Sequence, residues 1–410
     1  MTTVLPFLAI AAIAYLLFHF VVKWLQDRYL FTTGSEYMLL GVLVGPVVLH
    51  LIDEPTIRQL SPLMSLAIGW VGLLYGALLS PRKLLAEGSG GAVMLAFFGS
   101  LVTFALTFVV VWFALLLPGV PEVEGGGRLL ASLVLASAAM ATSPGILDLV
   151  KRRFGAEGKT TKTLAQSIRL DEFLAIAVFG GLFCIFREDY PIPWRDTPVT
   201  HPEWYGVSVG LGVVLGGLFR FFMKDEDDVD KQFLALVGII VFASGAAHYL
   251  ELSPLLVNLV LGFVMLFNAK DASSKAILEV LQRTRGPMYI LLLIFAGATW
   301  TGVAWPILLF AVGYAIVRGG SRITSGWFSA LASGDIRRDV GRGLLGQGEV
   351  AVAMALNFGI VYPHEPLAGL VVTCVLASVL LNELWSARLM KGLLIDSGDI
   401  RAETPTTEAS

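Results

Sequence analysis

The chain has 410 residues, of which 56% are hydrophobic and 15% are charged, and its formal net charge is −3. Soluble domains carry about 25% charged residues, so this composition excludes an ordinary soluble protein and indicates an integral membrane protein. The small net charge gives no basis for a nucleic-acid partner, and the lipid bilayer is the partner that the composition predicts.

Thirteen segments are apolar and long enough to cross a bilayer as helices, which need about 20 mostly apolar residues each. We therefore predict an all-α polytopic membrane protein. The transmembrane domain covers residues 1–396, and residues 397–410 form a short polar cytoplasmic tail. The predicted spans are 5–25, 37–52, 60–79, 91–117, 128–150, 163–186, 204–223, 232–250, 252–268, 286–302, 304–326, 342–362 and 366–390.

The distribution of lysine and arginine among the loops predicts the orientation of the chain. With thirteen crossings, one alternating set of loops holds 23 of these residues and the other holds four. Because cytoplasmic loops carry the excess of positive charge, the N-terminus is expected outside and the C-terminus in the cytoplasm. The expected location is the inner cell membrane, which the chain crosses many times.

Three ionisable residues lie within the predicted span 163–186, at Arg169, Asp171 and Glu172. A charged group at the centre of a bilayer costs at least about 2.5–3.5 kcal/mol, so this group indicates a functional site. Adjacent helical residues point about 100° apart, and the two acids therefore have unequal roles. Arg169 is spaced to pair with Glu172, and Ser167 lies on the helix face of Asp171.

A helix break is predicted in the preceding span, where Thr142 and Ser143 are followed by Pro144 and Gly145. Proline and glycine interrupt the hydrogen-bond ladder and release backbone carbonyls at membrane depth. In transporters such breaks supply oxygen ligands for ions. We therefore predict a site for a cation or a proton, formed by Asp171, Glu172, Ser167, Thr142 and Ser143, with the two carboxylates as the cation ligands.

Two further charges interrupt apolar runs late in the chain. Arg318 is interpreted as an internal counter-charge for a buried acid, and Glu349 as a second supporting charge. The two cysteines, Cys184 and Cys374, lie in apolar runs and are interpreted as packing residues. Motifs of hydrolases and metalloenzymes are missing or misplaced, so no enzyme and no cofactor is expected.

Several blocks in order resemble the monovalent cation/proton antiporters of the Kef and Nha type. These blocks are Tyr37–Pro46, Leu60–Leu84, Thr142-Ser143-Pro144, Leu170-Asp171-Glu172, Ser253-Pro254-Leu255-Leu256 and Gly346-Gln347-Gly348-Glu349. The resemblance implies a sodium/hydrogen exchanger with inverted repeats, crossed broken helices and a homodimeric assembly, active in pH homeostasis. The chain has Glu172 where the family usually has aspartate, and Ser143 where the family usually has aspartate at the break.

The implied mechanism is competition between a proton and a cation for one buried carboxylate. The residues leave open whether Asp171 or Glu172 is that acid, and whether the transported cation is sodium, potassium or lithium. The span 286–302 contains no lysine, whereas electrogenic relatives have one there, so electroneutral exchange is expected. The alternatives are a Kef-type potassium/proton antiporter, a cation channel, and a transporter-like sensor.

Overall fold

The computed structural model describes residues 34–52, 54–79, 90–118, 121, 125–186, 200–223, 226, 228–267, 271–300, 304–362 and 367–400. Within these ranges the regular structure is entirely helical. The predicted span 5–25 lies outside the described residues. Each of the other predicted spans corresponds to a helix or to an interrupted pair of helices.

The helices follow one another along the chain with short connections. They are α1 (Ser35–Val44), α2 (Glu54–Leu78), α3 (Gly90–Ala114), α4 (Gly125–Met140), α5 (Pro144–Phe154), α6 (Lys159–Ile185), α7 (His201–Met223), α8 (Val229–Tyr249), α9 (Pro254–Leu266), α10 (Asp271–Ala298), α11 (Trp305–Ser333), the 3₁₀ helix η1 (Val340–Leu344), α12 (Glu349–Val361) and α13 (Ala368–Asp396).

Seven stretches of the described chain are helical, long and apolar enough to span a membrane. They are Pro55–Leu78, Gly90–Ala114, the interrupted Gly125–Phe154, His201–Met223, Asp230–Tyr249, Trp305–Ser333 and Ala368–Asp396. Helices α6 and α10 are long but carry charged residues along their length, and α9 and α12 are apolar but short. The count of thirteen crossings therefore stays a prediction.

The helices pack as two groups. The panel helices are α1, α2, α7, α8, α9 and α10, and the site helices are α3 to α6 and α11 to α13. Glycines bring panel helices into backbone contact: a Cβ on Gly76 of α2 would lie 2.0 Å from the carbonyl oxygen of Leu259 in α9. A Cβ on Gly297 of α10 would lie 2.0 Å from the carbonyl oxygen of Met38 in α1. This close approach makes the panel a tightly packed unit.

Three connections of the site helices meet at one end of the molecule, which we call the basic face. The Asp399 carboxylate accepts hydrogen bonds from the Thr161 backbone amide (2.7 Å) and hydroxyl (2.8 Å). Lys159 pairs with Asp335 at 2.6 Å, and Arg342 pairs with Asp396 at 2.7 Å. Three of the regions that the lysine and arginine count assigns to one side, 151–162, 322–342 and 388–401, therefore lie together, whereas the side of the membrane that they face stays a prediction.

The start of the predicted polar tail is packed against the site helices. Ile400 is buried, and the Asp399 backbone carbonyl accepts a hydrogen bond from the Glu157 amide. Residues 397–400 thus continue the fold beyond the predicted boundary at 396. The rest of the predicted tail, 401–410, lies outside the described residues.

Candidate functional site

The predicted helix break lies between α4 and α5. Helix α4 ends at Met140, and α5 begins at Pro144, so residues 141–143 connect them in a non-helical conformation. Ser143 is the N-cap of α5, and its hydroxyl accepts a hydrogen bond from the Gly145 amide at 3.3 Å. The backbone N–H of the first helical residue has no partner within the helix, so Pro144 loses no hydrogen bond at this position. Proline therefore favours the start of α5 here.

A second break lies between η1 and α12, within the predicted span 342–362. Residues 345–348 are not helical, and α12 begins only at Glu349. The Ser143 amide donates a hydrogen bond to the Gly346 carbonyl at 3.1 Å. A Cβ on Gly348 would lie 2.6 Å from the Ser143 hydroxyl oxygen. The two breaks therefore cross in direct contact, and the small glycines permit it.

Arg318 lies beside this crossing and has no exposed surface. Its guanidinium donates to the carbonyls of Leu345 (2.7 Å), Ala141 (2.7 Å) and Gly346 (3.1 Å). The prediction that Arg318 is internal agrees with this position, but the expected carboxylate partner is not among its hydrogen-bond acceptors. Its positive charge compensates the partial negative charge of backbone carbonyls that the two breaks release.

Asp171 of α6 is fully buried and bonded through both of its carboxylate oxygens. Oδ1 accepts from the Ser100 hydroxyl at 3.0 Å, and Oδ2 accepts from the Thr142 hydroxyl at 3.3 Å. Oδ2 also forms a salt bridge of 3.0 Å with Arg322, which is itself fully buried. This carboxylate is therefore held in a charged, hydrogen-bonded pair, which is the arrangement that a buried charge requires.

Arg322 is a functional-site residue that sequence reasoning missed. The count of loop charges included Arg322 although it lies within the predicted span 304–326, and in the structure it is part of α11, which continues to Ser333. The signal was present in the spacing, because Arg322 follows Arg318 by four residues and so lies on the same helix face. One arginine of this face reaches the crossing, and the next one reaches Asp171.

Glu172 is also fully buried, but its surroundings differ from those of Asp171. Neither of its carboxylate oxygens has a hydrogen-bond partner among the described residues, and the buried Ser167 hydroxyl has none either. Arg169 is exposed, so the local pair expected between Arg169 and Glu172 is wrong. The charges that act on Glu172 include Glu349, Asp171 and Arg322.

Glu349 begins α12 and lies almost fully buried beside the panel helices. Its Oε1 accepts a hydrogen bond of 2.6 Å from the Tyr75 hydroxyl of α2. The same oxygen accepts from Nε of Arg285 in α10 at 2.6 Å. Neither Tyr75 nor Arg285 was identified from the sequence, since a lone tyrosine in an apolar run and an arginine at the edge of a predicted span are ordinary features.

The site therefore contains two adjacent acids in different states of partnership. Asp171 has no oxygen without a partner, whereas both Glu172 oxygens are available to a proton or a cation. Hydroxyl and carboxylate oxygens are the ligands that hard cations prefer. Among the described residues no group of three or more histidine, cysteine, aspartate or glutamate side chains could hold a metal ion.

Comparison with known proteins gives one family and one fold. Residues 8–392 match the family described as sodium/hydrogen exchanger, transmembrane. A structure of the sodium proton antiporter MjNhaP1 from Methanocaldococcus jannaschii at pH 8 has a TM-score of 0.69 and 17% identity, covering 96% of this chain and 99% of that chain. An electron-microscopy map of the same antiporter gives a TM-score of 0.66 and 16% identity, covering 97% and 99%. No curated protein matches the chain by sequence.

Proposed function

We infer, because the chain belongs to the transmembrane sodium/hydrogen exchanger family, that it is a secondary antiporter exchanging a monovalent cation, sodium, for protons. Glu172 is the carboxylate at which the two compete. One observation carries this assignment: both Glu172 oxygens are buried without a hydrogen-bond partner, while those of the neighbouring Asp171 are bonded. The family is one of transporters, and no cofactor beyond the transported ions is required.

Competition follows from the cost of burying a charge. An ionised Glu172 at this depth is unfavourable, and either a proton or a cation neutralises it. Occupancy by one excludes the other, since the same oxygens bind both. The buried Ser167 hydroxyl has no hydrogen-bond partner among the described residues and is a neutral oxygen on the Asp171 face of α6, about 140° around the helix from Glu172. The Thr142 hydroxyl donates to Asp171 and the Ser143 hydroxyl accepts from the Gly145 amide, and each hydroxyl oxygen keeps a lone pair for the cation.

The balance of charges around Glu172 supports electroneutral exchange. Asp171 is paired with Arg322, and Glu349 is paired with Arg285, so each pair is neutral in sum. Glu172 is then the one acid of this set whose charge is not compensated by a bonded arginine. With a proton or with a monovalent cation bound, the site carries the same net charge. Transport in the two directions therefore moves equal charge.

Alternating exposure of Glu172 requires the two groups of helices to move relative to each other. Glu172 lies on α6, which contacts the panel helices α2, α7 and α9 as well as its own group. Movement of the site helices past the panel would carry the acid between the two faces. Family membership supports, as further parts of this proposal, a homodimer in the cell membrane and a role in pH homeostasis.

The test compares two amide substitutions in proteoliposomes. Glu172→Gln should abolish sodium-driven proton flux while leaving the melting temperature near that of the parent, because the neutral amide resembles the protonated acid. Asp171→Asn should lower the melting temperature first, because it leaves the buried Arg322 without its carboxylate, a change that costs about 3–5 kcal/mol. Full exchange in the Glu172→Gln protein would overturn the assignment of the exchanging acid.

Scanning sodium, lithium and potassium in the same assay separates the remaining candidates. Proton release driven by potassium alone would indicate a potassium/proton antiporter with the same site. Cation flux that persists without a proton gradient and without counter-movement of protons would indicate a channel. The Glu172→Gln protein is the matched control in each case, because it has the same packing without a competing carboxylate.

A further inference from the structure

We propose that Glu349, Arg285 and Tyr75 form a gate that closes the path between Glu172 and the basic face, an inference that rests on the proposed antiport. The gate is a charged contact between the two groups of helices. It must separate before a cation from the basic face reaches Glu172, and it must form again before the site opens to the opposite face.

The first support is that this contact joins the two groups. Glu349 belongs to α12 of the site helices, whereas Tyr75 of α2 and Arg285 of α10 belong to the panel. The Arg285 guanidinium holds Glu349 through Nε and Nη2, each at 2.6 Å from Oε1. Arg285 also reaches back to the site helices at Asp148 of α5, at 3.7 Å. One arginine of the panel thus bridges two site helices.

The second support is the gradient of exposure through these residues. Glu172 has no exposed surface, while the side chains of Glu349, Arg285 and Asp148 are 3%, 23% and 50% exposed. Helix α5, which carries Asp148, runs on to Lys151, Arg152 and Arg153 at the basic face. The network therefore lies between the buried acid and the solvent at that end of the molecule.

The third support is the chemistry of the contact. A charged pair at the edge of the protein interior exchanges its partner for water at modest cost, because what each ion loses in attraction it regains in hydration. Pro287 follows Arg285 by two residues inside α10 and removes one hydrogen bond of that helix. A bend of α10 at this point would withdraw the guanidinium from Glu349.

The opposite end of α12 has a contact of another kind. There the Ser253 hydroxyl, at the start of α9, donates to the Asn357 side chain at 2.7 Å. Asn357 is eight residues after Glu349, which is about 12 Å along a helix. The Ser253–Asn357 contact therefore lies farther along α12 from the crossing than the charged contact does. Loss of the charged contact should open the basic-face side without opening the other side.

The experiment measures access to the site separately from transport. Cys184 and Cys374 are replaced by alanine, and Ser167→Cys places a reporter thiol one turn from Asp171. A membrane-impermeant cationic methanethiosulfonate reagent is applied to inverted and to right-side-out vesicles. In a separate protein, Arg338→Cys on the basic face shows which vesicle type presents that face. The gate is removed by the double substitution Arg285→Gln with Glu349→Gln, which leaves no unpaired charge of that pair.

Labelling of Ser167→Cys should become about tenfold faster from the basic face in the double variant and stay unchanged from the opposite face. Tyr75→Phe keeps the ring and loses one hydrogen bond, so it should give a smaller increase from the same face. Labelling of an Arg285→Lys protein should be slower than labelling of the double variant, because the lysine ammonium still pairs with Glu349. Arg283→Gln with Glu279→Gln, which removes an exposed ion pair of the same helix, is the matched control and should change nothing.

Parental labelling rates in both the double variant and Tyr75→Phe would overturn the gate. An equal increase of the labelling rate from both faces would also overturn it, because this result indicates that the helix packing is loosened throughout. Melting temperatures of every variant accompany the rates. Tyr75→Phe carries the test if the double variant does not fold. The outcome is distinguishable from failure of the antiport, because thiol labelling is measured without an ion gradient and in the Glu172→Gln background as well.

Discussion

Single residues at this site differ in function according to the atoms that surround them, even where they are neighbours in sequence. Asp171 and Glu172 are both fully buried acids, yet one is bonded to Ser100, Thr142 and Arg322 and the other has no hydrogen-bond partner among the described residues. Arg318 and Arg322 show the same contrast one turn apart. Arg318 binds backbone carbonyls and so stabilises the two helix breaks. Arg322 binds the Asp171 carboxylate and so stabilises the charged form of that acid.

The contacts of Arg318 predict a structural role for that residue. Arg318→Met should lower the melting temperature and the yield of folded protein, because three carbonyl oxygens at the crossing lose their donor. Each buried acceptor left without a partner costs about 1–3 kcal/mol. Thermal unfolding in detergent measures the loss. Arg338→Met, at an exposed position, is the control, and an Arg318→Met protein with parental melting temperature and transport would contradict the prediction.

At the scale of helices, the site depends on two interruptions that meet. Each break releases backbone groups, and the released groups satisfy one another: the Ser143 amide binds the Gly346 carbonyl, and Gln347 donates to the Ala138 carbonyl at 3.0 Å. Ser378 of α13 in turn donates to the Gln347 side chain at 2.7 Å. Irregular backbone within a membrane protein is stable only where such partners exist.

The closeness of the two breaks makes Gly348 sensitive to the smallest addition. Gly348→Ala would place a Cβ 2.6 Å from the Ser143 hydroxyl oxygen and 2.8 Å from its Cβ, so the two chains must move apart. Overpacking of this kind costs about 1–3 kcal/mol, and we expect a lower melting temperature together with slower exchange.

The control for Gly348→Ala lies on the same helix. A Cβ on Gly359 would have its nearest neighbour, the Val372 side chain, at 3.8 Å, which is an ordinary contact. Gly359→Ala should therefore leave melting temperature and exchange near the parental values. Equal effects of the two substitutions would show that the crossing tolerates separation.

At the scale of the whole molecule, the panel and the site helices meet at a boundary to which α6 and α12 contribute. Glycine contacts hold the panel together, and the buried charges lie on α6 and α12 and on the neighbouring site helix α11. Arg322 pairs with Asp171 and Arg285 pairs with Glu349, whereas Arg318 binds backbone carbonyls and Glu172 has no hydrogen-bond partner among the described residues. Under the proposed competition at Glu172, the charge that the moving helices carry is the same with a bound proton as with a bound monovalent cation.

This balance predicts exchange that does not respond to voltage. In proteoliposomes with equal ion gradients, a potassium diffusion potential set with valinomycin should leave the rate of sodium-driven proton flux unchanged. Arg322→Gln should alter this behaviour if the protein stays folded, because Asp171 then carries an uncompensated charge. Acceleration of the parental protein by a potential that is negative on the side receiving the protons would show a net movement of charge and contradict electroneutral exchange.

The sequence by itself determined the helical class of the protein, the family, and the break after α4. Long apolar segments specify membrane helices locally, and Ser143-Pro144-Gly145 carries a cap, a helix start and a small residue in three consecutive positions. The position of the second break was not identified from the residues. Gly346 and Gly348 flank a glutamine there, and neither glycine by itself ends a helix. Asp171 and Glu172 were identifiable because charge in an apolar segment is costly wherever the helix packs.

Only the tertiary structure decided which charges meet. Arg322 reaches Asp171 across 151 positions of the chain, and Tyr75 reaches Glu349 across 274. Local spacing favoured Arg169 as the partner of Glu172. In the structure Arg169 is exposed and Glu172 is buried, so the expected pair does not form. Pairing of buried charges depends on the packing of helices that are distant in sequence. The hydrophobic pattern shows which face of each helix is buried, but it does not show which helix packs against that face.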